Sequence, residues 1–337
     1  MRFAGALALA VSLAAQNPQY NVQSRLVLVP VTVADAEGRP VDGLAASDFL
    51  ILDNGRPQTA VVDSFTTGVA PLALVVAVQS SGISAAALAK VRRIGAMIQP
   101  LVTGESGCAA LVAFAERVDW RQDCTDDNDT LARAFLRLRP EGERRARMLD
   151  AVSESIERLR ARPNVRRVVL VISESRDHGS QTRLESVVMA AQAAGVTIYA
   201  APFSAFKTAL TAKPSDFVPP PLPKGTPPPS HASNPIPPLQ DRMDILGGIA
   251  ELARLGKTNT THALASATGG AAFPFAGQKG LEDAIQKLGV ELHTQYLLSF
   301  TPQTPAPGYH RLEVRLRRPG DFRLRARPAY WAAQEPR

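Results

Sequence analysis

The stretch Leu72-Ala73-Leu74-Val75-Val76-Ala77-Val78-Gln79-Ser80-Ser81-Gly82-Ile83-Ser84 decides the fold of this chain. Its first seven residues are apolar without alternation, which is typical of a strand buried on both faces at the centre of a parallel sheet. Polar residues follow at the carboxyl end of that strand, where sheets of this kind bind their ligands. The sequence therefore directs the search for function to the loops at this end of the sheet.

Short apolar segments alternate with segments of helical periodicity from residue 72 onward. This order predicts a doubly wound α/β sheet, mostly parallel and flanked by helices. The further strands are expected at 108–114, 117–122, 165–172 and 196–202, and the helical segments at 84–98, 128–138, 148–160, 181–194, 245–255, 262–268 and 281–292.

The loop after the first strand resembles that of von Willebrand factor type A (vWA) domains, whose pattern there is Asp-x-Ser-x-Ser. Aligned on Ser-Gly, this chain has Gln79 at the Asp position, Ser81 at the first Ser and Ile83 at the second. Shifting the alignment by one residue still supplies no carboxylate. The resemblance implies a vWA-like fold with a metal-ion-dependent adhesion site (MIDAS) that is degenerate in this chain.

Two more positions of that pattern are recognisable. The run 143–151 is similar to the family's Gly-Gly-Thr-x-x-x-Asp-Ala, with Ala146 where Thr would stand, and Glu174 follows an apolar strand where the family has Thr-Asp-Gly. A hard dication needs about six oxygen ligands and gains affinity from carboxylates, whereas this set offers one carboxylate beside a basic cluster. We therefore expect no metal and no cofactor. Weak Mg²⁺ or Ca²⁺ binding through Glu174, Ser81 and Gln79 is the alternative, and a purely local role for Gln79 and Ser81 in satisfying loop backbone groups is another.

Both ends of the chain resemble one exported bacterial subfamily, the VWFA-related domain proteins. The matching residues are Val31-Thr32-Val33-x-Asp35-x-x-Gly38-x-Pro40-Val41-x-Gly43-Leu44-x-x-x-Asp48-Phe49 with Asp53-Asn54-Gly55 near the start, and Thr268-Gly269-Gly270 with Tyr296-x-Leu298-x-Phe300-x-Pro302 near the end. This resemblance implies a fold and a compartment more than a reaction.

The expected organisation has four parts. Residues 1–15 are a signal peptide, 16–68 a small β unit, 69–295 the vWA-like domain with a Pro-rich insertion at 206–242, and 296–337 C-terminal strands that pack with the N-terminal unit or the sheet edge. In the β unit, alternating valines predict a strand and Asn54-Gly55 predicts a hairpin. The insertion contains a region, 214–238, that holds eleven of the chain's 27 prolines, so it is expected to be an extended loop.

The first residues indicate export. A short positive start is followed by an apolar run and a small-x-small site, which predicts cleavage after Ala14 or Ala15. The run is too short to span a bilayer and none like it follows. The mature protein is expected to be periplasmic or extracellular.

Two cysteines in an exported chain invite pairing. Cys108 opens one predicted strand and Cys124 closes the next, so a hairpin would place them opposite each other. We predict a Cys108–Cys124 disulfide, with two buried free thiols as the alternative.

The last predicted strands, 311–317 and 322–327, alternate apolar residues with arginines on either side of a Pro-Gly turn. They are expected to form a hairpin with one apolar and one basic face. With a formal charge of +7 for the chain, this favours peripheral association with an anionic envelope surface, or else a solvated edge blunted by charge. Nucleic acid is not expected, since no aromatic residues are interleaved among the arginines.

No catalytic motif stands out, although Ser173, Glu174, Asp177, His178 and Ser180 are crowded after one strand. We expect a binding protein, not an enzyme, that recognises an unidentified protein or glycan through the loops at the carboxyl ends of the sheet. The alternatives are a metal-dependent adhesion domain and a structural envelope component with a basic hairpin. The expected partner contacts are Ser84, Arg144, Arg145, Arg147, Asp177 and His178.

Overall fold

The computed structural model describes residues 26–62, 71–81, 84–142, 145–204, 259–303 and 307–332. The signal peptide expected at 1–15, the Pro-rich insertion at 206–242 and the helix expected at 245–255 lie outside these ranges.

The described chain contains thirteen strands and seven α-helices, numbered here in chain order. The strands are β1 (Val27–Ala34), β2 (Phe49–Asp53), β3 (Arg56–Gln58), β4 (Val61–Val62), β5 (Leu72–Gln79), β6 (Cys108–Phe114), β7 (Val118–Thr125), β8 (Arg166–Ser173), β9 (Val196–Pro202), β10 (Tyr296–Phe300), β11 (Gly308–Leu316), β12 (Arg323–Ala326) and β13 (Ala329–Ala332). The helices are α1 (Ala85–Val91), α2 (Gly95–Ile98), α3 (Asn128–Leu136), α4 (Met148–Arg160), α5 (Leu184–Ala193), α6 (Thr260–Thr268) and α7 (Gln278–Thr294).

The α/β part is built on a five-stranded sheet in the order β7-β6-β5-β8-β9. Strand β5 is central, all eight of its residues are buried, and it pairs in parallel with both β6 and β8. Only the edge strand β7 runs antiparallel. Helices α1, α2, α3 and α7 pack on one face and α4, α5 and α6 on the other. The predicted doubly wound, mostly parallel sheet is confirmed.

The single helix predicted at 84–98 is wrong. Helix α1 ends at Val91, where backbone bonds from Arg93 to Lys90 and from Ile94 to Val91 tighten the chain before α2. Gly95 then packs against α3 so closely that a Cβ would lie 2.8 Å from the Phe135 Cβ. The break therefore lets two helices approach each other, a long-range requirement that apolar periodicity does not reveal.

The β parts from both ends of the chain form a sandwich. One sheet has the order β12-β1-β10-β4 and the other β13-β11-β2-β3, and their apolar residues share one core. The predicted Asn54-Gly55 hairpin is confirmed, since β2 pairs with β3. Both turn residues have positive φ, 48° and 79°, which is the backbone conformation that this dipeptide favours.

The predicted basic hairpin near the C-terminus is wrong. Strand β11 pairs with β2 and β13, whereas β12 pairs with β1 in the opposite sheet. Leu312 and Leu324 enter the shared core from the two sides, so their arginine neighbours point to different surfaces. Burying both apolar faces in one core stabilises this arrangement more than a hairpin with one exposed apolar face. Arg327 is itself buried, and desolvation lowers its pKa to about 10.

The predicted disulfide is confirmed: Cys108 and Cys124 are bonded across the antiparallel pair β6 and β7. Bulges between these strands shift the register near the bond, so the two cysteines come within a Cα separation of 5.3 Å. Among the described helices, none combines the length and apolar character that a bilayer crossing requires.

A buried polar network joins the α/β part to the sandwich. Arg166, at the start of β8, donates to the Leu292 carbonyl and to the Gln295 side chain. Gln295 in turn donates to the Thr32 hydroxyl of β1 over 3.2 Å. Burial lowers the pKa of Arg166 because the charged guanidinium loses hydration. Its two acceptors replace part of that hydration and so contribute to the stability of the fold.

Candidate functional site at the carboxyl ends of the sheet

The side chain of Gln79 occupies the centre of the candidate site. It is 1% exposed at the end of β5. Its carbonyl oxygen accepts the backbone N–H of Glu174 over 2.8 Å, and its amide nitrogen donates to the Ser81 hydroxyl over 2.8 Å. One neutral amide therefore links the loops that follow β5 and β8.

The orientation of this amide follows from its partners. A backbone N–H can only donate, so the atom that faces Glu174 has to be the oxygen and the atom that faces Ser81 the NH₂ group. The Ser81 oxygen lies 3.1 Å from the Ser84 hydroxyl, and both serines are fully buried. The hydroxyls after β5 are therefore engaged with each other and with an N–H donor.

Backbone bonds hold the loop after β5 against its neighbours. Ser80 donates its N–H to the Phe114 carbonyl over 2.8 Å and accepts the Glu141 N–H over 2.7 Å. Ser81 and Glu141 form an isolated parallel bridge. Main-chain hydrogen bonds thus hold Ser80 and Ser81 in place independently of their side chains.

The second and third loops are fastened to each other. Ala146 and His178 exchange two backbone bonds, of 2.9 and 3.1 Å. Ala146 is fully buried, so the methyl group at the family's Thr position packs among apolar neighbours. The imidazole of His178 is exposed.

Asp150 makes the largest set of side-chain contacts in this region. Its carboxylate accepts the backbone N–H groups of Gln181 and Thr182 and the Thr182 hydroxyl, and it pairs with Arg147 at 3.0 Å. Burial raises the pKa of the Asp150 carboxyl, but the hydrogen bonds and Arg147 outweigh it and hold the pKa below its usual value.

Asp177 also connects the loop before α4 to the loop after β8. It accepts the Leu149 N–H over 3.1 Å and the Ser180 hydroxyl over 2.6 Å, while its own N–H lies 3.2 Å from the Thr260 hydroxyl at the start of α6. A cap of three connected loops results.

The structure brings most of the predicted site residues together. The Gln79 amide contacts Ser81 and Glu174, and Ser84 lies next to Ser81. Arg147 and Asp177 connect the loops to one another. Arg145 and His178 are exposed. Ile83 and Arg144 lie outside the described residues. The Glu174 carboxylate is half-buried and forms no ion pair with any described residue.

Sequence reasoning missed Asp150, Thr182 and Thr260 as residues that hold the loops, and it noted Ser180 only as one of the crowded polar residues that suggested catalysis. Asp150 stands in the Asp-Ala context of the family pattern and could have been selected from it. Thr182 and Thr260 carry no local signal, because their partners, Asp150 and Asp177, are distant in sequence. Within the described ranges, no group of three or more His, Cys, Asp or Glu residues is placed to hold a metal ion.

The central parallel strand, the helices on both faces and the polar turn directly after β5 define a vWA-like α/β domain. The resemblance seen in the sequence is confirmed at the level of the fold. The subfamily and the degenerate MIDAS stay predictions.

Comparisons with known proteins add structural relatives only. No protein-family model and no curated protein matches this sequence. The solved structures that are similar to this chain include the following three. BatB, a conserved hypothetical protein from Bacteroides thetaiotaomicron, is 14% identical over 66% of this chain and 98% of that one, with a TM-score of 0.45. Proximal thread matrix protein 1 from the mussel byssus, with a zinc-occupied MIDAS motif, is 14% identical over 71% of this chain and 49% of that one, with a TM-score of 0.43. The vWF domain of the type V pili tip protein Mfa5 from Porphyromonas gingivalis is 18% identical over 32% of this chain and 39% of that one, with a TM-score of 0.28.

Proposed function

We propose that this chain is an exported, non-enzymatic binding protein whose vWA-like domain recognises a protein or glycan partner without a metal ion. The recognition surface is formed by the loops at the carboxyl ends of β5 and β8 and the loop before α4. The observation that carries the proposal is the Gln79 amide, which joins Ser81 to Glu174 at the centre of these loops.

The described donor set does not suit a hard dication. Such an ion needs several oxygen ligands with carboxylate charge. Here the group beside the Ser81 oxygen is an N–H donor, whose partial positive charge opposes a cation. Ala146 contributes a buried methyl group. Among the five positions that match the family's metal ligands, Glu174 carries the only carboxylate.

The described parts of these loops suit recognition, because internal hydrogen bonds hold them together and they still present polar groups. Asp150 and Asp177 fix the loops, so the binding surface loses little conformational freedom when a partner binds. Arg145 and His178 are exposed on that rigid cap. A guanidinium group pairs well with a partner's carboxylate.

Two of the hydroxyl groups that suggested catalysis form internal hydrogen bonds that hold the loop after β8. The Ser173 hydroxyl donates to the Glu174 carbonyl over 2.7 Å, and the Ser180 hydroxyl donates to Asp177. Among the described residues, neither hydroxyl bonds to an imidazole, which a nucleophile of the serine hydrolase type requires. This arrangement supports a non-enzymatic role.

Export rests on the N-terminal sequence, which lies outside the described residues. Fractionation of the native organism, followed by mass spectrometry of the protein's N-terminus, tests it. We expect mature protein that begins at residue 15 or 16 in the periplasmic or extracellular fraction. An intact N-terminus in the cytoplasm would refute export.

Affinity capture tests recognition. The tagged mature protein is incubated with envelope extract from the native organism, in parallel with Mg²⁺ and with EDTA. We expect a defined partner that is retained equally in both. Loss of the partner in EDTA would instead establish a metal-dependent adhesion domain.

A double substitution in the loops, one of which reverses a charge, tests where the partner binds. Arg145→Glu with His178→Ala is expected to reduce partner recovery at least tenfold, because both side chains are exposed on the cap. Arg323→Glu is the matched control, since this exposed arginine lies on the sandwich. Equal recovery with all three proteins would show that the partner binds elsewhere.

A further inference from the structure

A cleft lies between the edge strand β7 and helix α3, beside the sheet-end loops. Its volume is about 340 Å³, and its walls include Asp119, Arg121, Gln122, Thr130, Arg133 and Arg137. Sites for small molecules start at about 300 Å³, so the cleft accommodates a small ligand. None of its residues belongs to the recognition surface proposed above.

Three guanidinium groups face one carboxylate among these lining residues. Arg121 is well paired, with Asp119 at 3.0 Å and with Glu141. Arg133 lies 4.0 Å from Asp127, and both are more than half exposed, so that attraction is weak. The cleft therefore keeps an excess of positive charge on its α3 side.

Arg133 and Arg137 lie one helical turn apart at the end of α3. Like charges at this spacing repel each other by a few tenths of a kcal/mol. Arg133 donates to the Thr130 hydroxyl over 2.8 Å, and the Arg137 side chain forms no ion pair with a described residue. Most of the ten N–H donors of this pair are thus available to a ligand.

We propose that this cleft binds a small molecule that carries an oxyanion, namely a carboxylate, sulfate or phosphate group. Arg133 and Arg137 hold the oxyanion, and its charge removes their mutual repulsion. Guanidinium forks suit such groups because they donate two parallel hydrogen bonds. Arg121 forms the opposite wall on β7.

The cleft is connected to the sheet-end loops through Glu141. The side chain of this residue pairs with Arg121, and its backbone N–H donates to Ser80 at the end of β5. An oxyanion in the cleft competes with the Glu141 carboxylate for Arg121. Removing that carboxylate is therefore expected to strengthen ligand binding, an effect that non-specific charge attraction predicts only weakly.

Isothermal titration calorimetry on the full mature protein tests the proposal. The probes are sodium phosphate, sodium sulfate and sodium D-glucuronate at one ionic strength set with NaCl, with glucose as the neutral comparison. We expect saturable binding of at least one of the three anions with one site per chain. Preference for phosphate or sulfate would identify a tetrahedral ligand, and preference for glucuronate a carboxylate.

Three variants complete the test. Arg133→Gln with Arg137→Gln is expected to weaken binding at least tenfold, and Glu141→Gln to strengthen it about twofold or more. Arg315→Gln with Arg323→Gln, two exposed arginines of the sandwich, is expected to leave binding unchanged. Circular dichroism verifies that each variant is folded. No saturable binding, or equal binding by the Arg133/Arg137 variant, would overturn the proposal without affecting partner capture by Arg145 and His178.

Discussion

The side-chain carbonyl of Gln79 and the backbone N–H of Glu174 are joined by a hydrogen bond of 2.8 Å. Gln79 ends β5 and Glu174 directly follows the neighbouring parallel strand β8, 95 positions further along the chain. Because the same amide also donates to Ser81, it holds two functional loops together without any charge. Its removal is therefore expected to affect both loops.

Replacing Gln79 by Ala is expected to destabilise the fold by about 2–4 kcal/mol. It leaves the partly buried N–H of Glu174 without its acceptor and the buried Ser81 hydroxyl without the Gln79 donor, and each such group costs about 1–3 kcal/mol. Urea denaturation measures the loss. Gln122→Ala is the control, since within the described ranges that side chain bonds only to the neighbouring Asp123 carbonyl and its loss should cost less than about 0.5 kcal/mol. Similar losses for both variants would contradict a structural role for the central amide.

Asp150 is expected to make the protein sensitive to acid. Its folded pKa is lowered because the bonds from Thr182 and Gln181 and the charge of Arg147 outweigh burial. A lowered folded pKa contributes stability above the unfolded pKa of about 3.9, and this contribution is lost as the pH falls from there through the folded value.

The comparison of wild type with Asp150→Asn isolates this effect. At pH 7 the variant is expected to be less stable by about 1–3 kcal/mol, since it loses charge-assisted bonds. The difference in unfolding free energy should shrink below about pH 4. Denaturation curves between pH 3 and 7 measure it. A difference that stays constant with pH would show that the carboxylate charge does not matter.

The strands of the α/β sheet could be predicted from the sequence because burial alone determines their pattern. Strand β5 is apolar from Leu72 to Val78, and the predicted bounds of β9 agree with the observed ones, Val196–Pro202. The break after Val91 and the separation of β11 from β12 could not be predicted. Both depend on which distant element lies opposite, as Phe135 does for Gly95.

In the candidate site, too, the features with a local sequence pattern could be predicted and those that depend on distant partners could not. The family pattern selected Gln79, Ser81 and Glu174, which the structure brings together. It did not reveal that Arg147 and Asp177 are occupied in holding loops. Such roles depend on partners about 30 residues away, and a single sequence carries no signal for those pairs.

The Cys108–Cys124 bond is expected to contribute about 3 kcal/mol at 25 °C in the chain-entropy model, since it closes a short loop. Cys108→Ser with Cys124→Ser should lower the urea midpoint by a corresponding amount. Treating wild type with dithiothreitol should give the same midpoint as the variant. The variant itself should not respond to dithiothreitol, and a response would reveal an effect of the reagent other than reduction of this bond.

Arg166 is expected to couple the unfolding of the α/β part to that of the sandwich. Arg166→Met leaves the Leu292 carbonyl and the Gln295 side chain without their buried donor, which should cost about 3 kcal/mol. Arg160→Met, at a side chain 67% exposed, is the matched control and should cost little.

The chain has two tryptophans, Trp120 on β7 and Trp331 on β13. Replacing either one by Phe leaves a single fluorescent reporter, for the sandwich or for the α/β part. In wild type both fluorescence transitions should coincide, and in Arg166→Met they should separate. Coincident transitions in the variant, at an unchanged midpoint, would show that the coupling lies in the apolar contacts instead.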